Sequence, residues 1–307
     1  MRNFATPLLG ATLVAATATF AAAQSGPLVS AEELNGTLDD VRVLDIRAED
    51  AFAGGHLNGA ANAPYGLFRG PAENPGQLVP VEDLQQVYRD LGLEADDRIV
   101  VSYAGESVTD FGAAARVYWT LKSSGFQDIS ILNGGLAAWE EAGFDLTDTA
   151  PQIDTSDMEV TWNDQWTASR EDVQASIDGD GLLLDARPES FWAGKDAHAA
   201  AAKPGTLPQS EYFEHASWFS DGPTIIDASA AQSLASAEGL SDADSIISFC
   251  NTGHWAATNW FALSELAGLE DVKLYPESVV GWSNAGGEMM NVPGPLTMLW
   301  RQVTGIF

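Results

Sequence analysis

One residue decides where the chemistry of this chain could lie. Cys250 is the only cysteine in 307 residues, and it stands in "SFCNTGHWAATNWF", residues 248–261. Ile246 to Phe249 read as a strand and Ala256 to Leu266 as a helix, so Cys250-Asn251-Thr252-Gly253-His254-Trp255 forms the turn between them. A single cysteine cannot close an internal disulfide, which leaves a reactive thiol, an intermolecular pairing or a small buried hydrophobe. Position favours the reactive thiol. A thiolate at a helix start meets unpaired backbone N–H groups and the positive end of the helix dipole. Gly253 lets the turn curl so that several amides converge on one point, a concavity that binds anions without a basic side chain.

Two other cysteine chemistries fit poorly. A Cys-x5-Arg phosphatase loop needs arginine six residues after the thiol, where this chain has Ala256. A Cys–His hydrolase needs an in-line base, and His254 is too close in a tight turn. The four histidines, His56, His198, His215 and His254, show no metal-ligand spacing among themselves.

The elements around the turn occur twice. Leu44-Asp45-Ile46-Arg47 matches Leu184-Asp185-Ala186-Arg187, and "SGFQDISILNGGLAAW" ending at Trp139 aligns without gaps to "AGLEDVKLYPESVVGW" ending at Trp282. Strands alternating with helical patterns predict parallel βαβ units, here in two copies. The Asp/Thr-rich "FDLTDTAPQIDTSDMEVTWND", residues 144–164, separates them. The register puts Ala104 where the second half has Cys250, followed by a segment about four residues longer that carries no thiol.

The two ends read differently from the body. Met1-Arg2-Asn3, the uncharged Phe4–Phe20 run and Ala21-Ala22-Ala23 have the form of an export signal cleaved before Gln24. That predicts a periplasmic protein, not inserted in the membrane after cleavage. The whole chain carries 44 Asp+Glu against 14 Lys+Arg, a formal charge of −30, which argues against nucleic acid or an anionic membrane as partner. Hydrophobic residues make up 45% and charged ones only 19%, which argues against disorder.

Taken together, Asp45-x-Arg47, "GGHLNGAANAPY" (54–65), "ILNGGLAAW" (131–139), Asp185-x-Arg187 and the Cys250 turn resemble the tandem-domain rhodaneses, a family of sulfurtransferases. The resemblance implies an α/β fold of two tandem rhodanese-like domains, each a mainly parallel sheet flanked by helices. On this reading 1–23 is the signal, 26–148 a catalytically inactive first domain, 149–164 a linker, 165–292 the catalytic domain and 293–307 a C-terminal tail. It further implies that Cys250 carries a sulfane sulfur as a persulfide, from a small sulfur-anion donor to a thiol or cyanide, with no metal or organic cofactor needed.

The donor stays open. The turn matches neither the basic loop usual for thiosulfate nor the Cys-Gly-Ser/Thr-Gly-Val-Thr of 3-mercaptopyruvate enzymes, and thiosulfate is ranked first because an exported protein meets inorganic sulfur anions. A non-turnover sulfur carrier serving a protein acceptor is the competing class. The expected substrate-binding residues are Asn251, Thr252, Gly253, His254, Trp255 and Arg187, with Lys195 and Lys203 as further cations near the turn. His254 is expected to charge in mild acid and improve donor binding. Asp45, His56 and Thr252 occupy places similar to a proton relay of the mercaptopyruvate enzymes.

Overall fold

The computed structural model describes residues 26–294. The segment read as an export signal and nearly all of the predicted tail lie outside them. The first domain has five strands and five helices: β1 (Leu28–Val29), α1 (Ala31–Thr37), β2 (Arg42–Asp45), α2 (Glu49–Ala53), β3 (Ala61–Asn62), α3 (Val81–Asp90), β4 (Arg98–Ser102), α4 (Phe111–Ser123), β5 (Asp128–Leu132) and α5 (Gly135–Glu141). The second repeats the plan with α6 (Arg170–Asp178), β6 (Leu182–Asp185), α7 (Glu189–Trp192), β7 (Glu211–Tyr212), α8 (Ala228–Ala237), β8 (Ile246–Phe249), α9 (Trp255–Phe261), β9 (Val272–Leu274) and α10 (Ser278–Asn284).

Every strand pair is parallel, in the orders β1-β5-β4-β2-β3 and β7-β6-β8-β9. Where β1 edges the first sheet, the second has only a parallel bridge from Thr167 to Leu274. The central strands explain the topology. β8 is buried at all four residues and β4 at its last four, so both read as continuous apolar runs covered by helices on each face.

The sheet register gives the internal equivalence. Asp45 lies opposite Ser102 and Asp185 opposite Phe249, so the residue after β4 that corresponds to Cys250 is Tyr103. This corrects the expected Ala104 by one position. The cause is the extra length after β4, which leaves a gapped alignment free to slide while backbone pairing is not.

The two domains share a core. One continuous cluster of buried side chains runs from the first sheet through α4 and α9 to the second sheet, and smaller clusters cover the far face of each. Phe111 and Tyr118 on α4 meet Phe261 on α9 with ring centroids 5.4 and 5.0 Å apart, both near edge-on. Such pairs contribute about 0.5–1.5 kcal/mol each beyond their buried area. Tyr118 also donates to Glu265, which pairs with Lys122 at 2.7 Å. Residues 151–163 have no regular structure but lie along the first domain: Arg89 donates to the Met158 carbonyl, and the Asn163 amide to that of Ser123. Among the described residues no helix is long and apolar enough to cross a bilayer.

Candidate functional site

Parallel sheets place their binding crevices at the carboxyl ends of central strands, and Cys250 stands at that end of β8. The chain turns there because Gly253 adopts φ +69°, a left-handed conformation that non-glycine residues pay about 1–2 kcal/mol to enter. A Cβ at Gly253 would also strike Arg116 Nη1 and the Pro276 carbonyl. Opposite the turn, Ser278 is itself left-handed at φ 51°. The first domain uses Gly135 at the equivalent place, with φ 62°. A serine in this strained backbone has a visible function. Its Oγ accepts the amides of Cys250 and Gly253, at 3.0 and 3.1 Å, and donates to the Tyr275 carbonyl at 2.8 Å. From α10, the amides of Val279 and Val280 donate to the carbonyls of Cys250 and Asn251.

The turn is therefore fastened from behind, and this refines the expected anion concavity. Two of its amides are spent on Ser278. Those of Asn251, Thr252, His254 and Trp255 donate to no protein acceptor among the described residues. They are the donors left to meet an anion. Cys250 itself is 1% exposed, so only a slender reactant reaches the thiol without movement.

Arg187, expected on the substrate, is 1% exposed and committed to structure. Its Nε and Nη2 pair with Asp185 at 2.8 and 2.6 Å, Nη2 also donates to the Gly205 carbonyl, and Nη1 reaches Asn251 Oδ1 at 3.2 Å. It fixes Asn251 from below the turn. Lys195 and Lys203 are exposed. The Trp255 ring stacks on His215, with centroids 5.1 Å apart and planes 12° apart, and meets Phe191 edge-on. Together these three form an aromatic wall.

The proposed relay is not assembled. Asp45 takes a bidentate bond from Arg47, His56 stacks on Phe52 with its ring nitrogens at the carbonyls of Phe52 and Thr149, and Thr252 Oγ1 accepts from Arg69. Three strong local partners hold the three groups apart.

The first domain enters the site through Tyr65, Arg69, Thr109 and Arg116. Arg69 Nη2 donates to Thr252 Oγ1 at 2.9 Å, its guanidinium lies 5.1 Å from the Tyr65 ring centroid, and its Nη1 is buried without a partner. Arg116 donates to the carbonyls of Gly253 and Gly76. Burial, and then the neighbouring Arg69 charge, push its pKa down to about 9.

His254 faces this domain rather than an incoming donor. Its Nε2 lies 2.9 Å from the Thr109 carbonyl and so carries the proton, leaving Nδ1 to accept from the Tyr65 hydroxyl at 3.1 Å. Burial, and then the Arg69 charge, push its pKa down from 6.5 to about 4. The expected gain from a charged His254 in mild acid is thereby corrected, because the ring stays neutral through that range. The sign for stability follows. The unfolded chain takes up this proton near pH 6.5 while the folded chain does not until about pH 4, so this contribution is present above pH 6.5 and is lost as pH falls from 6.5 to 4. We expect the wild-type Tm to fall over that window more steeply than that of His254→Gln. Parallel profiles would contradict a neutral His254 held against the first domain.

Arg69, Arg116 and Tyr65 were not found in the sequence. Arg116 had a signal, an arginine inside the otherwise apolar "FGAAARVYW". Arg69 had none in its own half, because the turn it serves lies 183 residues away.

Comparison with known proteins agrees with this architecture. The family model described as rhodanese-like domain matches residues 30–142 and again 169–285. A putative thiosulfate sulfurtransferase of Haloferax volcanii is 28% identical over 274 residues, covering 85% of this chain and 94% of its own. The sulfur carrier protein TtuD of Thermus thermophilus is 27% identical over 275 residues, covering 85% and 94%. In structure, the 3-mercaptopyruvate sulfotransferase SseA of Escherichia coli superposes with a TM-score of 0.72 at 24% identity, covering 83% of this chain and 99% of its own. The anaerobic ergothioneine biosynthesis enzyme of Chlorobium limicola superposes with a TM-score of 0.75 at 19% identity, covering 84% and 68%. With both of its domains matched, this chain belongs to the rhodanese-like family.

Proposed function

We propose that the protein is a sulfurtransferase that moves the sulfane sulfur of thiosulfate to cyanide or a small thiol through a persulfide on Cys250. One observation carries the reading: the sole thiol of the chain stands at the carboxyl end of the central strand, in a turn whose free amides and the arginines Arg69 and Arg116 offer positive potential. Thiolate attacks the outer sulfur of thiosulfate, the S–S bond to the sulfonate sulfur breaks, and sulfite leaves with the bonding pair. The new terminal sulfur bears the charge, facing the amides of the turn. Cyanide carbon then attacks that sulfur, the Cys250 S–S bond breaks, and its pair returns to the thiolate as thiocyanate departs. One transfer becomes two easier ones. The first domain has Tyr103 in place of the thiol and contributes the charges of Arg69 and Arg116 to the site rather than a nucleophile.

The test is a divided reaction. Protein incubated with thiosulfate, freed of donor and then given cyanide should release one thiocyanate per chain, and continuous mixing should give many. One equivalent followed by no turnover would make the protein a carrier for a protein acceptor. Loading by 3-mercaptopyruvate alone would move the donor to that keto acid.

A further inference from the structure

We propose that Arg69, reaching across from the thiol-less first domain, is the side chain that holds the anionic end of the sulfur donor. The inference rests on the sulfur-transfer reading above but comes from a charge imbalance in the structure itself. The chain has 44 acidic residues for 14 basic ones, so a guanidinium without a carboxylate is out of the ordinary. Among the described residues neither Arg69 nor Arg116 enters an ion pair. Charges taken out of water are normally paired; Arg116 is buried without a carboxylate beside the half-buried Arg69, whose charge adds to the cost of its own.

Their hydrogen bonds tell them apart. Arg116 is 1% exposed, its two Nη atoms are committed to the carbonyls of Gly253 and Gly76, and only its Nε is left without a partner, so it supplies charge and support but no free Nη prong. Arg69 gives one Nη2 bond to Thr252, two residues from the thiol, and keeps Nη1 buried with no acceptor. The Tyr65 ring beside the guanidinium fixes its plane. Its charge is felt by groups on both sides of the cleft: His254 and His198 of the second domain, Arg116 and Tyr65 of the first. Tyr65 and Arg116 in turn feel Cys250. A planar fork with a free, desolvated N–H suits the tetrahedral oxyanion of a thiosulfate or sulfonate, which arrives as the missing counter-ion. It would leave the outer sulfur pointing toward the thiol.

Equilibrium binding separates this cation from the chemistry. In the Cys250→Ser protein, which transfers no sulfur, thiosulfate binding is measured by calorimetry, alone and with Arg69→Gln or Arg69→Lys added. Losing a charge-assisted fork should weaken binding by about tenfold or more in the Gln variant. Lys, which keeps the charge but not the fork, should fall between, and it stands in if the Gln variant does not fold. Affinity within twofold of the parent in the folded variants, or no thiosulfate binding to the parent at millimolar concentration, would overturn the assignment. Failure of the sulfur-transfer reading shows separately, as wild-type protein that yields no thiocyanate.

Discussion

Replacing Cys250 by serine should reduce sulfur transfer from thiosulfate to the uncatalysed background, with the fold intact. The atom changed is the one that must form and break an S–S bond, and a serine hydroxyl neither ionises usefully nor accepts sulfur. Everything that shapes the turn is backbone or belongs to other residues: the Ser278 bonds to the amides of Cys250 and Gly253, the α10 amides on the carbonyls, and Arg187 on Asn251. The exchange is nearly isosteric, and the cost of burying one hydroxyl is about 1–3 kcal/mol if it finds no partner. Unfolding by denaturant and thiocyanate formation, measured on the same preparation, separate the two effects. Thiocyanate at more than a few per cent of the wild-type rate would remove Cys250 from the reaction.

Asp185→Asn should destabilise the protein by about 3–5 kcal/mol, the cost of breaking one side of a buried ion pair. Asp185 is 0% and Arg187 1% exposed, so the guanidinium left behind has no water to turn to. Thr206 also loses a charged acceptor, at 2.7 Å from Asp185 Oδ2. The first domain supplies an internal control. Asp45 and Arg47 make the same pair, but the Arg47 side chain is 16% exposed. Asp45→Asn should therefore cost less, because solvent shares the charge. Activity should separate the two sites further, since Arg187 holds Asn251 in the reactive turn whereas Arg47 holds only its own domain. Denaturant unfolding of both variants checks the order, and a smaller loss for Asp185→Asn than for Asp45→Asn would contradict it.

The legible parts of this molecule were those written locally. The repeated strand-helix pattern, the Asp-x-Arg strand ends and the glycine in the Cys250 turn each depend on a few neighbouring residues, and the structure has both parallel sheets that the alternation implies. What stayed hidden depends on distance or on competition between partners. Arg187 is a cation near the turn, and sequence cannot say that Asp185 and Gly205 reach its nitrogens before a donor does. His254 is the titratable side chain of the turn, but burial against the other domain and the Arg69 charge keep it neutral, and Thr109 and Tyr65 of that domain set its tautomer. Arg69 was invisible for the same reason. The one-residue slip from Tyr103 to Ala104 came from an insertion that only strand pairing resolves.

The thiol's role is tested most directly by the intact mass of the protein after thiosulfate. The expected result is a gain of one sulfur atom, carried on the peptide that contains Cys250, lost on addition of cyanide and absent in Cys250→Ser. An unchanged mass, or a sulfur that persists in the presence of cyanide, would contradict the persulfide at the centre of the proposed reaction.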